Sequence, residues 1–179
     1  MTFASNIVTR IVSRSESRLI LVLLTSFYVS TGFSEETGAT PFGAWELRCN
    51  TPSDSKQTVC ALTQTATAVD KEGSSLGVLV VKPKEFRNAV MRVIAPLDVY
   101  LIKGITLEVD QTEIGKALFS SCSPSGCVAD IGLEGDILEK LKVGKIGVLT
   151  AYQSPSTSAM YKFRLDGFKD GFVKILVPS

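Results

Sequence analysis

Apolar and polar residues alternate along most of this chain, which is the pattern of strands with one buried face. Trp45, Leu47 and Cys49 fall on one face of the first such stretch, and residues 105–109 show the cleanest alternation. The run Leu76–Val81 is apolar throughout and predicts a central strand buried on both faces. About nine short strands separated by turns predict an all-β fold, a single-domain sandwich or flattened barrel.

Two segments depart from this pattern and predict short helices. Asp136 is a candidate N-cap for the first, which ends before Gly144 and carries an apolar stripe. Residues 168–176 have apolar positions at helical spacing and predict a second helix at the C-terminal end. Residues 99–102 are predicted to form a short strand or an edge segment. We therefore expect one or two short helices beside the sheet.

The N-terminal region has the pattern of a secretory signal. Three arginines precede the apolar core Leu19–Leu24, and a run with small residues follows it. Cleavage is predicted after Gly32 or Ser34. An uncleaved membrane anchor is the alternative, but the apolar stretch is short for a span of about 20 residues.

This pattern divides the chain into three parts. Residues 1–32 are predicted to be the signal peptide, residues 33–41 a polar linker, and residues 42–177 one β domain. No internal repeat or second composition regime indicates a further domain. A cleaved signal places the mature protein in the periplasm, or outside the cell as a secreted or surface protein.

The composition excludes several kinds of site. The sequence has no histidine, which excludes Ser-His-Asp and Cys-His nucleophiles, histidine-ligated zinc and a histidine pH switch. The formal net charge is +1, and without the leader's three arginines and one glutamate it is −1, from 16 basic and 17 acidic residues. A near-neutral domain lacks the concentrated basic face of a nucleic-acid-binding protein, so no nucleic acid is expected as a partner.

Four cysteines in an exported chain predict two disulfides. Three pairings are possible, and the local one, Cys49 with Cys60 and Cys122 with Cys127, needs the least chain closure. Cys49 ends one predicted strand and Cys60 begins the next, whereas Cys122 and Cys127 flank a Ser-Pro-Ser-Gly turn. A redox pair or a four-thiolate zinc site is the alternative. The spacing and the strand-like flanks favour structural disulfides over both.

Two groups of charged residues are candidates for chemistry. Glu108, Asp110 and Glu113 surround one turn, and paired carboxylates can act as acid and base or bind a cation. A small basic patch around a proline turn consists of Lys82, Lys84, Arg87 and Arg92. Solvated charges are the simpler interpretation of both groups, so no catalytic residue, metal or cofactor is predicted.

Five motifs in a fixed order give the chain a family resemblance. They are Phe42-Gly-Ala-Trp45-Glu-Leu-Arg-Cys49, Cys60-Ala-Leu-Thr-Gln64, Arg92-Val-Ile-Ala-Pro-Leu97, Cys122-Ser-Pro-Ser-Gly-Cys127-Val-Ala129 and Leu165-Asp-Gly-Phe168-Lys-Asp-Gly-Phe172. This set resembles the invasion-associated locus B family. The resemblance implies an exported alphaproteobacterial protein with these four cysteines as family features. It also implies a link, in some pathogens, to entry into host cells such as erythrocytes, and no established catalytic residue.

These observations favour an exported, non-enzymatic envelope or surface protein that binds a partner. The partner would be a protein or a component of the envelope or host surface, and membrane contact is expected only through an uncleaved leader. The candidate binding loops are Asn50–Gln57, Pro83–Asn88 and Ser154–Ser158. One alternative is a periplasmic β-barrel carrier of a small apolar ligand. The other is a carboxylate-dependent hydrolase without histidine that uses Glu108 or Asp110.

Overall fold

The computed structural model describes residues 38–51, 58–83 and 87–176, and this part of the chain forms eleven strands, two helices and one 3-10 turn. The strands are β1 (Ala39–Phe42), β2 (Trp45–Asn50), β3 (Val59–Ala68), β4 (Ser75–Val81), β5 (Ala89–Ala95), β6 (Ile105–Val109), β7 (Thr112–Ala117), β8 (Phe119–Ser123), β9 (Gly126–Leu133), β10 (Ile146–Tyr152) and β11 (Ser158–Arg164). The helices are α1 (Gly135–Val143) and α2 (Phe168–Leu176), and the 3-10 turn is Leu101–Lys103. The predicted signal peptide lies outside the described residues.

All eleven described strands pair in antiparallel ladders. Nine of them follow the order β7, β6, β10, β11, β3, β4, β5, β9, β8, whereas β1 pairs with β2, and β2 pairs in turn with β3. The two ends of this order, β7 and β8, are consecutive in the chain and are separated by Leu118 alone. One bent stretch of chain therefore returns from one end of the sheet to the other and nearly closes it into a barrel. The predicted all-β class, with two disulfides and short helices, is confirmed.

The strand β3 is shared by two partners on one of its sides. Its first half pairs with β2, whereas its second half pairs with β11 through Ala68 and Thr67 only. Gln64 lies where the two partners diverge. Its side-chain amide donates to the Arg164 carbonyl at 3.0 Å, and its Oε1 accepts from the Arg164 backbone N–H at 2.8 Å. The side chain thus replaces a strand residue in the ladder.

Side chains that point inward fill the barrel. The largest fully buried ones include Trp45, Leu62, Leu76, Met91, Ile105, Leu107, Leu133, Leu149 and Phe168. The strand β4 alternates instead of being buried on both faces, because Leu76, Val78 and Val80 point inward while its other apolar residues are only partly covered. A barrel of about eight strands is just wide enough for side chains to fill its interior.

Helix α2 packs on β2 and β3 through aromatic side chains. The ring centroid of Trp45 lies 5.4 Å from that of Phe168 and 6.0 Å from that of Phe163, both in edge-to-face geometry. Gly171 permits this close approach, since an added Cβ would lie 2.5 Å from Cδ1 of Leu62. The predicted helical spacing of this segment therefore corresponds to a helix that buries its apolar stripe.

Helix α1 begins two residues earlier than predicted. Glu134 occupies the N-cap position without a side-chain hydrogen bond, and Asp136 lies in the first turn. There its carboxylate still faces the positive end of the helix dipole. Gly144 follows the last helical residue, as predicted. Within the described residues, neither helix has the length and apolar character of a membrane span.

Three further segments differ from the sequence prediction. Residues 39–41, assigned to the linker, form most of β1. Residues 112–117 form β7, which the sequence pattern does not predict, because a register shift opposite Leu107 and Glu108 interrupts its alternation. Residues 101–103 form a 3-10 turn instead of a strand, with Leu101 and Ile102 exposed. The observed strands therefore number eleven in the described chain, against the predicted nine.

Candidate functional site

The four cysteines form two disulfides between directly opposed strand residues. Cys49 on β2 is bonded to Cys60 on β3, and Cys122 on β8 is bonded to Cys127 on β9, each with a Cα–Cα distance of 4.0 Å. We call them the β2–β3 disulfide and the hairpin disulfide. All four cysteines lie in the described residues and none is free. All four cysteine sulfurs are therefore used in structural disulfides that hold neighbouring strands in register.

The three carboxylates predicted to cluster, Glu108, Asp110 and Glu113, have different partners in the structure. Asp110 sits in the β6–β7 turn with a φ of 47°, and its carboxylate accepts backbone N–H bonds from Lys145 and Ile146 at 3.0 Å each. Glu108 and Glu113 are paired in register across β6 and β7, and Glu113 lies 3.9 Å from Lys116. Asp110 thus joins the turn to the start of β10. The described residues contain no group of three or more potential metal ligands.

The basic patch is also divided. Arg92 on β5 forms a bidentate ion pair with Asp130 on β9, with both N–O distances 2.8 Å. The hydrogen bond to Asp130 raises the pKa of Arg92 above its ordinary value, and this effect exceeds the opposing effect of burial. Lys84 lies outside the described residues. Arg92 therefore joins two neighbouring strands and is not available as part of a basic docking face.

Only one of the three candidate loops is fully described. In Ser154–Ser158, the Ser154 hydroxyl accepts the backbone N–H of Thr157 at 3.0 Å, and the Gln153 N–H donates to the Thr157 carbonyl at 2.9 Å. The loop is therefore a tight, internally bonded turn between β10 and β11. Residues 52–57 and 84–86 of the other two loops lie outside the described residues.

A groove on the outer surface was not predicted from the sequence. It has a volume of about 440 Å³ and lies on β2, β3 and β4, beside the point where β2 and β11 diverge. Its lining includes Glu46, Arg48, Thr63, Gln64, Thr65 and Gly77. We call it the outer groove. The only sequence signal for it was the row of threonines on one face of β3.

The outer groove presents hydrogen-bonding groups at its walls. Arg48 and Glu46 form an ion pair at 2.7 Å on one wall, and both side chains are about half exposed. The Thr63 hydroxyl donates to the Glu46 carbonyl at 3.2 Å, whereas Thr65 is exposed and its hydroxyl makes no hydrogen bond within the described residues. The groove offers hydroxyl, guanidinium and carboxylate groups without a convergent acid–base pair. This set of groups suits the binding of a polar surface better than catalysis.

The model of a family described as "Invasion associated locus B (IalB) protein" matches residues 45–176. An invasion protein B homologue of Brucella abortus strain 2308 is 28% identical over 151 residues, which cover 81% of this chain and 83% of that protein. A homologue from B. abortus biovar 1 strain 9-941 matches to the same extent.

A solved structure provides a comparison of the fold. The crystal structure of invasion associated protein b from Bartonella henselae matches with a TM-score of 0.61 and 19% sequence identity. The match covers 77% of this chain and 95% of the Bartonella chain. At this identity the likeness concerns the fold, which the two chains share over nearly all of the Bartonella protein.

Proposed function

The chain belongs to the invasion-associated locus B family, and from that premise we propose that it is an exported, non-enzymatic envelope or surface protein that acts by binding a partner. The match of the family model to residues 45–176 carries the proposal. The names of the Brucella and Bartonella relatives support a role in host association where the producing bacterium is a pathogen. In other bacteria we propose a role within the envelope.

Export is supported by the predicted signal peptide and by the disulfides. Disulfides persist in oxidising compartments such as the periplasm and are rare in the cytosol. All four cysteines of this chain are bonded. Mass spectrometry of the protein recovered from the periplasm or medium tests this point. We expect cleavage after Gly32 or Ser34, and a protein retained in the cytosol with its leader intact would contradict it.

The outer groove is our candidate for the partner surface. Its walls combine a charged pair and an unbonded hydroxyl on a rigid sheet, where a partner can be held without ordering a loop. The two alternatives have less support. The barrel interior is packed with large side chains, which argues against an apolar carrier, and Asp110 is committed to backbone N–H groups, which argues against the hydrolase.

A blocked groove tests the proposal. The tagged protein, exported by the producing cell, is cross-linked to envelope and host-membrane fractions. We compare wild type with Thr65→Arg, which fills the groove, and with Thr112→Arg, which adds the same bulk and charge at an exposed position on β7. A partner that is recovered with wild type and Thr112→Arg but lost with Thr65→Arg supports the proposal. Equal recovery with the wild type and both variants would move the partner surface elsewhere, and no specific partner in any fraction would contradict binding itself.

A further inference from the structure

A glycine in the outer groove has no packing reason to be there. Gly77 lies inside β4, where glycine weakens a strand because it loses more conformational freedom on folding than any other residue. It is on the outer face, opposite Thr65 of β3. An added Cβ would lie 3.5 Å from the Cβ of Ile94, which is an ordinary contact distance, and the backbone is not left-handed. The fold would therefore accept alanine at this position.

Most other glycines of the described strands are required by packing. At Gly126 and Gly147, an added Cβ would collide with a backbone carbonyl and with an aromatic ring, respectively. At Gly115 it would lie 3.1 Å from a side chain of β9. Gly132 has open space, as Gly77 has, but it lies outside the outer groove. A strand glycine that packing does not require is typical of a site where a ligand approaches the backbone closely.

Three polar groups at the walls of the outer groove have no hydrogen-bond partner in the described chain. The two Arg48 donors that bond Glu46, Nε at 3.2 Å and Nη2 at 2.7 Å, meet the same carboxylate oxygen, Oε2. The Nη1 of Arg48 and the Oε1 of Glu46 are therefore unbonded there. The third group is the Thr65 hydroxyl, opposite Gly77. The groove thus offers a donor, an acceptor and a hydroxyl that is both.

The lining does not fit a protein partner. An extended peptide adds to the edge of a sheet, whereas the outer groove lies on the face of the paired strands β2, β3 and β4. Protein interfaces are anchored by large apolar and aromatic side chains. None of the large apolar side chains that are exposed in the described chain belongs to the lining. Polar recognition at the surface of the sheet is what remains.

The charges around the outer groove do not select an ionic ligand. Glu46 and Arg48 have opposite signs and lie 2.7 Å apart within the lining. Beyond the lining, Arg164 lies 2.8 Å from Asp166, and Lys162 on the neighbouring β11 adds one cation. A ligand that fits this set is neutral and carries many groups that both donate and accept hydrogen bonds.

We propose that the outer groove binds a neutral saccharide chain of the bacterial envelope. A sugar hydroxyl can accept from Arg48 Nη1 and donate to Glu46 Oε1, and hydrogen bonds to charged groups are stronger than neutral ones. Gly77 leaves space for the apolar face of a sugar ring beside Leu79. The volume of about 440 Å³ lies within the usual range of small-ligand sites. The inference rests on the proposed function, since it names the partner of the same surface.

Chemical treatment of the partner membranes tests the proposal. The purified, exported and tagged protein is titrated onto envelope membranes of the producing cell, which are untreated, oxidised with periodate or digested with proteinase K. Periodate cleaves vicinal diols and so destroys sugar rings, and periodate quenched beforehand is the control. We expect binding to be lost after periodate and kept after proteinase K. Binding should also persist in 0.5 M NaCl, because hydrogen bonds in direct contact depend little on screening.

The two open strand glycines provide matched variants. Gly77→Ala should raise Tm by about 2–4 °C, because it removes the entropic cost of glycine at a site that accepts a Cβ. It should nevertheless weaken binding roughly tenfold, because its methyl group occupies the space of the sugar ring. Gly132→Ala makes the same change outside the groove and should bind like wild type. Thr65→Arg should abolish binding.

The outcomes separate this proposal from the proposed function. Binding that survives periodate, or that proteinase K or 0.5 M NaCl abolishes, overturns the saccharide. If Thr65→Arg still blocks such binding, the outer groove remains the partner surface and the partner is a protein or a charged polymer. Gly77→Ala that binds like wild type, or a loss equal to that of Gly132→Ala, also overturns the proposal. Absence of binding to untreated envelope membranes overturns it as well, and recovery of a host-membrane partner would then preserve the proposed function alone.

Discussion

Gln64 should stabilise the fold by more than an ordinary surface glutamine, because its side chain completes the ladder between β3 and β11. Two hydrogen bonds join it to the backbone of Arg164, at 2.8 and 3.0 Å, across 100 positions of sequence. A neutral hydrogen bond contributes about 0.5–1.5 kcal/mol net. Water reaches this partly exposed site, so we expect Gln64→Ala to lower the free energy of unfolding by about 1–2 kcal/mol.

Urea unfolding measures this effect. Trp45 is the only tryptophan and is fully buried, so its fluorescence reports loss of the core directly. The slope of the unfolding free energy against urea should be unchanged, since the same surface is exposed on unfolding. Hydrogen exchange supplies a local measurement, in which the backbone N–H of Arg164 should exchange faster in the variant.

Two further variants make the test specific. Gln153→Ala removes the same side chain from a surface site where it makes one hydrogen bond, to Asp98, and should cost less than about 0.5 kcal/mol. Gln64→Glu keeps an acceptor for the Arg164 N–H but places a carboxylate against the Arg164 carbonyl, so it should destabilise at least as much as alanine. A Gln64→Ala effect no larger than that of Gln153→Ala would refute the reasoning.

Three other predictions concern the framework. Gly171→Ala should destabilise the protein by at least about 2 kcal/mol in a thermal melt, despite alanine's better helix propensity, because its Cβ meets Leu62; combined with Leu62→Ala, which is destabilising by itself because it empties a buried position, it should cost less than the sum of the two single variants. Arg92→Lys should lower the free energy of unfolding in urea by about 1 kcal/mol, because lysine cannot make the bidentate pair with partly exposed Asp130. The stability that wild-type Arg92 contributes should not change with pH near neutrality, because the pKa of Arg92 is raised and the contribution is lost only at still higher pH. The β2–β3 disulfide spans 11 positions and the hairpin disulfide spans 5, so the loop-entropy model gives losses of about 2.8 and about 2.1 kcal/mol in the free energy of unfolding when each is replaced by two alanines. Equal losses, measured by urea unfolding, would show that loop length does not govern the effect.

Local patterns predicted much of this fold because most of its strands have one buried face. The alternation at Trp45 and Leu47, and at Tyr161 and Phe163, corresponds to side chains that point into the barrel. The spacing in residues 168–176 likewise corresponds to the buried stripe of α2. The pattern failed for β7, where a register shift breaks the period of two.

The outer groove could not be predicted from local patterns because it depends on a distant contact. Thr63 and Thr65 are ordinary residues for an exposed strand face. They line a groove because the neighbour of β3 changes along its length, from β2 in its first half to β11 in its second half. Gln64 and Arg164 are hydrogen-bonded at the point where these two neighbours diverge. The predicted clusters of charged residues did not become sites, since the fold commits Asp110 to backbone N–H groups of β10 and Arg92 to an ion pair with Asp130.

The position of the hairpin disulfide has a consequence for exchange between molecules. The strand β8 is the last in the sheet and is paired only with β9, so its other edge carries backbone groups that could pair with another copy. A terminal strand joined to the barrel through a bend at Leu118 has the geometry from which domain swapping begins. The disulfide between β8 and β9 prevents this strand from peeling away as a unit. The oxidised hairpin would therefore oppose the exchange of strands between copies as well as stabilise the fold.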